Sequence, residues 1–545
     1  MATHHALANI DIVDEVFQWF DYELTHGYPL EQTSDFVAGE SAGEDVEIER
    51  RRSLASAART CKSFHEPALR VLWRQLESLI PFFSLLPSFT KVQENVEQPF
   101  SSWHPRDIYH LPDYVSSHER ERLRKYADFV RILYLATPAP TRTQDFTPES
   151  WSSMRTLFGD QPIFPNVHIL HWSVVSPRTE FPGMMHFVSP TLQQILLNCC
   201  YWGSYMDARM PDLRASTWVP LLSSTTAEIC LKASRLSQLT VCMGELDASE
   251  FITVLSHSHP STLRGLTVFG PHHLPHINIS GFMGLARIVS LERLTLSVVI
   301  DHQPGASIPP LDLPNLLEFR IPYCPAPAHM VPYDTITSAR LKVLDISKLD
   351  YIGMPVLRRV CSGWARAFPA LEVLSFRLTG TVWDQPLHTE TQPLLSALEP
   401  LLTLRQMRSF TLSCVDVPVT VGDAELTAFS EAWPSLVELQ VYNMSIPDNS
   451  RGSIAGLPGL LSLATNCPML AALGIGRIVL FPRDLSMLPT GRFDHRLKTL
   501  RVRDGLAPDA YHLIRDKLFP VINMRLHKAH LVIDEDGGGG LNKDN

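Results

Sequence analysis

The chain has 545 residues and a formal net charge of −10, with 45% hydrophobic and 19% charged residues. Such a length exceeds one ordinary core, so the chain either divides into domains or grows as a repeat. The acidic balance excludes nucleic acid as the main partner, and no apolar run approaches the ~20 residues of a membrane span.

Elements follow in chain order. The first residues carry no basic flank and apolar core of a secretory signal, so none is expected. Ile10, Val13, Phe17 and Phe20 recur at helical spacing, and Ile12, Val16 and Trp19 widen the stripe. Residues 23–52 are acidic and contain glycine, the composition of a mobile, solvated insert. Leu54, Ala58 and Cys61 trace a second helical face. Pro67 is expected to start a third helix with Ala68, Leu69, Leu72, Trp73 and Leu76. A helical module is therefore expected over 1–80, followed by a linker and bridge helix over 81–129.

From residue 130 to 532 one phrase returns: apolar, two residues, apolar, one residue, apolar. It begins with Val130/Leu133/Leu135, Val167/Leu170/Trp172, Leu192/Ile195/Leu197, Leu236/Leu239/Val241 and Leu263/Leu266/Val268. It continues through Leu291/Leu294/Leu296, Leu316/Phe319/Ile321, Leu341/Leu344/Ile346, Leu371/Leu374/Phe376 and Met407/Phe410/Leu412. Leu436/Leu439/Val441, Leu470/Leu473/Ile475 and Leu497/Leu500/Val502 complete it. Pro165, Pro190, Pro314, Pro369, Pro434 and Pro468 stand two residues ahead of the phrase, where proline stops a preceding helix. Each unit reads helix, stop, strand, and one strand cannot bury its apolar face alone, so the units must stack.

The expected fold class is α/β: an N-terminal three-helix module, then an irregular leucine-rich-repeat horseshoe, a solenoid of helix–strand units with a parallel sheet. The asparagine or cysteine usual after the last leucine is mostly missing, with Cys200 and Cys324 the clear matches. Long loops are expected at Gly203–Ser216 and Thr379–Pro393, and the gap between Leu192 and Leu236 leaves room for one further repeat. The glycine-rich tail, 533–545, is expected to be disordered.

Residues alternating with the buried positions should face outward. Among Phe269, Arg293, Glu318, Arg320, Asp345, Arg377, Glu438, Gln440, Tyr442, Arg501 and Arg503, the arginines and tyrosine are the residue types favoured at binding hot spots. Arg293, Arg320, Arg377, Tyr442, Arg501 and Arg503 are thus the candidate contacts for a protein target.

No chemistry of an enzyme is visible. Nine scattered cysteines form no C-x-x-C pair, which points to reduced thiols and no zinc site. His272, His273 and His276 lie in a proline-bounded segment without partner ligands and read as a solvated loop. Phosphate-binding loop, nucleophile elbow and metalloprotease motifs are absent. Neither a catalytic residue, a metal site nor a cofactor is expected.

The N-terminal residues carry a resemblance. "IDIVDEVFQWF" followed by "LASAARTCKSFHEPALRVLWRQL" looks like an F-box, as in fungal F-box/leucine-rich-repeat proteins, and "ERLRKYADFVRILYL" (121–135) resembles that family's bridge into its first repeat. Asn9 stands where the family commonly has proline. The resemblance implies a substrate-recognition subunit in the cytoplasm or nucleus, bound to a Skp-type adaptor and through it to a cullin–RING ubiquitin ligase. By matching positions, Ile10, Ile12, Val13, Val16, Phe17, Leu54, Cys61, Phe64, Pro67, Leu69 and Trp73 are the adaptor-facing candidates. The alternative is a leucine-rich-repeat interaction scaffold with a degenerate F-box and no ubiquitin role.

Overall fold

In the computed structural model each repeat phrase becomes a short strand with its apolar positions turned inward. Residues described are 11–13, 15–17, 41–92, 107–112, 114–135, 144–146, 148–173, 182–199, 212–244, 246–258, 261–270, 274–301, 308–323, 335–350, 353–380, 392–415, 417, 419–443, 455–476, 497–502 and 530–533. The chain divides into two units, Met1–Ser290 and Leu291–Asn545.

In the N-terminal unit the strands Gln75–Leu76, Ile132–Leu135, Ile169–Ser173, Gln194–Asn198, Gln238–Cys242 and Gly265–Phe269 pair in that order, every pair parallel. Parallel neighbours need a crossover, and helices supply it: Pro148–Phe158, Asp212–Lys232 and Ser249–Ser258. Leu133, Leu170, Ile195, Leu239 and Leu266 form one transverse row of the sheet, each buried.

The C-terminal unit repeats the plan. Strands Arg293–Leu296, Glu318–Ile321, Val343–Asp350, Val373–Thr379, Ser409–Val415, Glu438–Asn443, Ala472–Ile475, Thr499–Val502 and His530–Ile533 pair in chain order, all parallel. Helices Met354–Ala367, Asp423–Ala432 and Leu457–Asn466 flank them. Leu357, Val360, Cys361 and Trp364 are the buried stripe of the first, at three- and four-residue spacing. A parallel sheet built one strand per repeat, with flanking helices, is a leucine-rich-repeat-type architecture.

Several expectations change. Among the described residues no extra strand enters the sheet between Leu192 and Leu236, because Gln194–Asn198 pairs directly with Gln238–Cys242 and the helix Asp212–Lys232 takes up much of the length. That helix also replaces the last residues of the loop expected over Gly203–Ser216. The rest of that segment, most of Thr379–Pro393, and the tail beyond Ile533, itself the last residue of a strand, lie outside the described residues. The second N-terminal helix runs Ser41–Thr60, so it begins inside the segment read as an insert over 23–52. The third starts at Lys62, with Pro67 inside it rather than at its start. The proline removes the donor to the Ser63 carbonyl, and Ser63 is exposed, so water can take that acceptor.

Among the described residues no distinct three-helix module stands over 1–80. Val13, Phe17, Leu54, Ala58, Ala68 and Leu69 do form a small shared core. Yet Trp73 packs at a tilt against Tyr126 of the helix Ser117–Ala127, ring centroids 4.8 Å apart, and Gln75 and Leu76 enter the repeat sheet opposite Ile132 and Leu133. Residues 81–129 are more than a linker. Thr90–Val92, Asp107–His110 and Gln144–Phe146 make a separate small sheet. Phe89 stacks on Tyr109 at 5.4 Å there, and Phe83 meets Phe146 at 5.7 Å.

Candidate protein-binding surface

Alternation in a strand sends every second side chain away from the buried rows. In the C-terminal unit the register aligns Thr295, Arg320, Asp345, Ser375, Thr411, Gln440, Gly474 and Arg501 as one outward row. Arg377, Ser413 and Tyr442 form a second row two residues further along their strands. Arg293 and Glu318 lie in a third, two residues earlier. Of the six candidate target contacts, Arg293, Arg377 and Arg501 are exposed, while Arg320 and Tyr442 are half-buried. Arg503 lies outside the described residues.

Local pairing explains the half-burial. Arg320 forms an ion pair with Glu318 on its own strand. Glu438 accepts hydrogen bonds from Gln440 and from Ser409 Oγ, the latter at 3.1 Å. Tyr442 leans across Gly474: a Cβ built on that glycine would lie 2.2 Å from the phenol oxygen. Gly474 thus gives the ring its place over the neighbouring strand. Sequence spacing found these outward positions, but not the pairing that ties up Arg320.

The N-terminal unit presents a different outward face, which sequence reading passed over apart from Phe269. Ile132 aligns with Ile169, and Tyr134 with His171 and Leu196, all half-buried. The rings of Tyr134 and His171 lie 4.8 Å apart. Burial holds the His171 imidazole neutral and lowers its pKa to about 4. The unfolded chain therefore takes up this proton near pH 6.5 while the folded chain does not, and stability falls as pH drops from 6.5 toward 4. Between pH 7 and pH 5 this one group should remove about 1–2 kcal/mol. Urea midpoints at the two pH values, for the natural chain and for His171→Leu, check it. A variant whose pH dependence matched the natural chain's would rule His171 out as the source.

The adaptor-facing candidates separate into two groups. Val13, Phe17, Leu54, Pro67 and Leu69 are buried and hold the N-terminal helices together. Phe64 is half-buried against Phe17, ring centroids 5.8 Å apart, and Trp73 is half-buried against Tyr126. Ile12 and Val16, one helical turn apart, are 44% and 53% exposed, and Cys61 is exposed. Ile10 lies outside the described residues. Ile48, 46% exposed, extends the list of outward apolar side chains. Its acidic surroundings hid it in the sequence.

Among the described residues no group of three or more His, Cys, Asp or Glu side chains could hold a metal ion. No described helix is long and apolar enough to cross a membrane. His276 is exposed but not in a loop: it opens the strand His276–Asn278 and pairs with Asp247 in a parallel bridge, while His272 and His273 lie outside the described residues.

Neither a family model nor a curated protein matches the sequence. Among solved structures the chain is similar to an internalin (inlF) from Listeria monocytogenes, 14% identical, covering 73% of this chain and 80% of that one, with a TM-score of 0.31. It is also similar to the leucine-rich repeat-containing protein LegL7 from Legionella pneumophila, 12% identical, covering 58% of this chain and 95% of that one, with a TM-score of 0.29. At these scores the fold assignment rests on strand order and register, not on the superpositions.

Proposed function

We propose that this chain is a non-catalytic protein-interaction scaffold of leucine-rich-repeat type, whose partner docks on the outward rows of the sheet. The observation that supports it is the register of the C-terminal unit. Arg293, Arg377, Tyr442 and Arg501 share one pleated face backed by transverse rows of buried side chains. Such a face is held rigid before binding, which lowers the ordering cost of association. The test is affinity capture with the natural chain, with Arg377→Glu/Tyr442→Ala, and with Arg359→Glu on the exposed side of the helix Met354–Ala367 as control. Partners lost with the first variant and kept with the control support the reading. Identical partner sets for all three overturn it.

A second reading rests on Ile12 and Val16. These two apolar side chains, turned to water from adjacent turns of one helix, offer a partner an apolar strip to cover. In this reading the N-terminal helices bind a Skp-type adaptor, the chain works beside a cullin–RING ligase in the cytoplasm or nucleus, and the repeat face presents the target for ubiquitin transfer. Deleting residues 1–80 is a poor test, since it strips the Gln75–Leu76 strand from the sheet and Trp73 from Tyr126. Ile12→Asp/Val16→Asp in the full chain is better. Adaptor retention should fall at least about ten-fold with the melting temperature unchanged, a loss of ~1.4 kcal/mol or more. If the natural chain retains no adaptor, the scaffold reading stands alone.

A further inference from the structure

The three outward rows of the C-terminal unit sort their charges by sign. Their acids, Glu318, Asp345 and Glu438, are half-buried. Glu318 forms an ion pair with Arg320, Asp345 stands in register beside Arg320, and Glu438 accepts from Gln440 and Ser409. The charged side chains left exposed in these rows are Arg293, Arg377 and Arg501. Among the described residues no carboxylate pairs with any of the three. The charge this face offers to an approaching molecule is therefore positive, on a chain whose formal net charge is −10.

Solubility does not account for this pattern. In the N-terminal unit the described outward strand positions, Ile132, Tyr134, Ile169, His171, Gln194 and Leu196 among them, carry no charged side chain, His171 being neutral. A face of this architecture thus stands without exposed charge. A set of charges that served only to hold water would also mix both signs.

We propose that the partner of this face is an acidic segment of another protein, whose Asp and Glu carboxylates pair with Arg293, Arg377 and Arg501. The inference rests on the reading that a partner docks on these rows, and adds the chemistry of that partner. Planar guanidinium forks suit carboxylate oxygens in paired hydrogen bonds. Three strand steps separate Arg293 from Arg377, and four separate Arg377 from Arg501. At ~4.8 Å per step these are ~14 Å and ~19 Å across the sheet. An extended segment of about ten residues covers that span with a few well-placed carboxylates. A nucleic-acid duplex carries one phosphate charge per ~1.7 Å of its axis and would leave nearly all of them unmatched.

The test uses the full chain labelled with 15N-arginine at low ionic strength. It is titrated with a peptide of about twelve residues alternating Glu and Gly, with the Gln–Gly twin of that peptide, and with a DNA duplex of similar length. Arg293→Gln, Arg377→Gln and Arg501→Gln identify the three Nε–H signals. The Glu peptide should move all three, and the Gln twin none. Each single substitution should weaken binding about two- to three-fold, as for exposed ion pairs, and the three together at least about ten-fold. Arg359→Gln, on the helix Met354–Ala367, should leave it unchanged. Equal shifts with the Gln twin, tighter binding of the duplex, or unchanged affinity in the triple variant overturns the inference. So do signals already displaced in the free chain that recover on dilution, which assign a second copy of this chain. Affinity capture separates the inference from the reading beneath it. Partners lost with Tyr442→Ala but kept by the triple arginine variant sink the acidic partner and leave the docking face, and partners kept by both variants sink the two together.

Discussion

Trp433→Ala should destabilise the C-terminal unit by about 4 kcal/mol, in the range for truncating a fully buried large aromatic. Trp433 is 0% exposed. Its ring stacks on Phe429 at 5.0 Å and 9°, and lies 5.0 Å from Phe410. Phe410 in turn touches Phe376 at 6.0 Å, which touches Trp364 at 5.7 Å. This chain of rings, with Trp433 at its head, thus joins the helix Asp423–Ala432 to two neighbouring strands and the helix of an earlier repeat. Trp433 Nε1 also donates to the Leu401 carbonyl at 3.3 Å. Trp433→Phe keeps an aromatic ring and loses only that donor and some volume, so about 1–2 kcal/mol is expected. Arg293→Ala, at an exposed position, should stay within ~0.5 kcal/mol. Urea unfolding followed by far-UV circular dichroism, compared at a common slope, ranks the three. A loss below ~1 kcal/mol for Trp433→Ala would mean that its neighbours collapse into the space, and the ring would not be the hub described.

That hub was half legible in the sequence. Trp433 closes a helical stripe with Leu426 and Phe429, and Phe410 occupies the middle apolar position of its repeat phrase; both signals are periodic and local. Their meeting depends on how successive repeats stack, which no local period encodes. The outward positions were readable for the same reason as the buried ones, since period two fixes both faces at once. What the sequence could not separate was an arginine turned to solvent, such as Arg377, from one folded onto its own strand, such as Arg320 beside Glu318. The N-terminal helices show the same limit. Ile12 and Val13 are neighbours in one apolar stripe, yet 44% of the first is exposed and 2% of the second. A stripe wider than the facing helix can cover leaves its edge in water.

The start of the helix Leu457–Asn466 is the clearest case of structure hidden from local reading. Its N-cap is Gly456, which has no side chain to accept the first free N–H groups. The acceptor comes from the previous repeat instead: Asp423 Oδ1 takes Gly456 N–H at 2.8 Å and Gly459 N–H at 2.9 Å. Gly459 makes that approach possible, because a Cβ there would stand 2.6 Å from Asp423 Oδ1 and 3.0 Å from Asp423 Cα. Asp423→Ala should cost about 2–3 kcal/mol, since it strands two N–H groups and removes a negative charge from a helix N-terminus. Gly459→Ala should cost about 1–2 kcal/mol even though alanine favours helix over glycine by ~1 kcal/mol, because the backbone at Asp423 cannot yield as a flexible side chain would. The two share one interaction, so the double variant should lose less than the sum. Asp423→Asn keeps an acceptor oxygen and should fall between the natural chain and Asp423→Ala. Urea midpoints of the four variants test the arrangement. Strict additivity, or a Gly459→Ala chain more stable than the natural one, would mean that Asp423 does not hold this helix, and its contact with the preceding repeat would then rest on apolar packing alone.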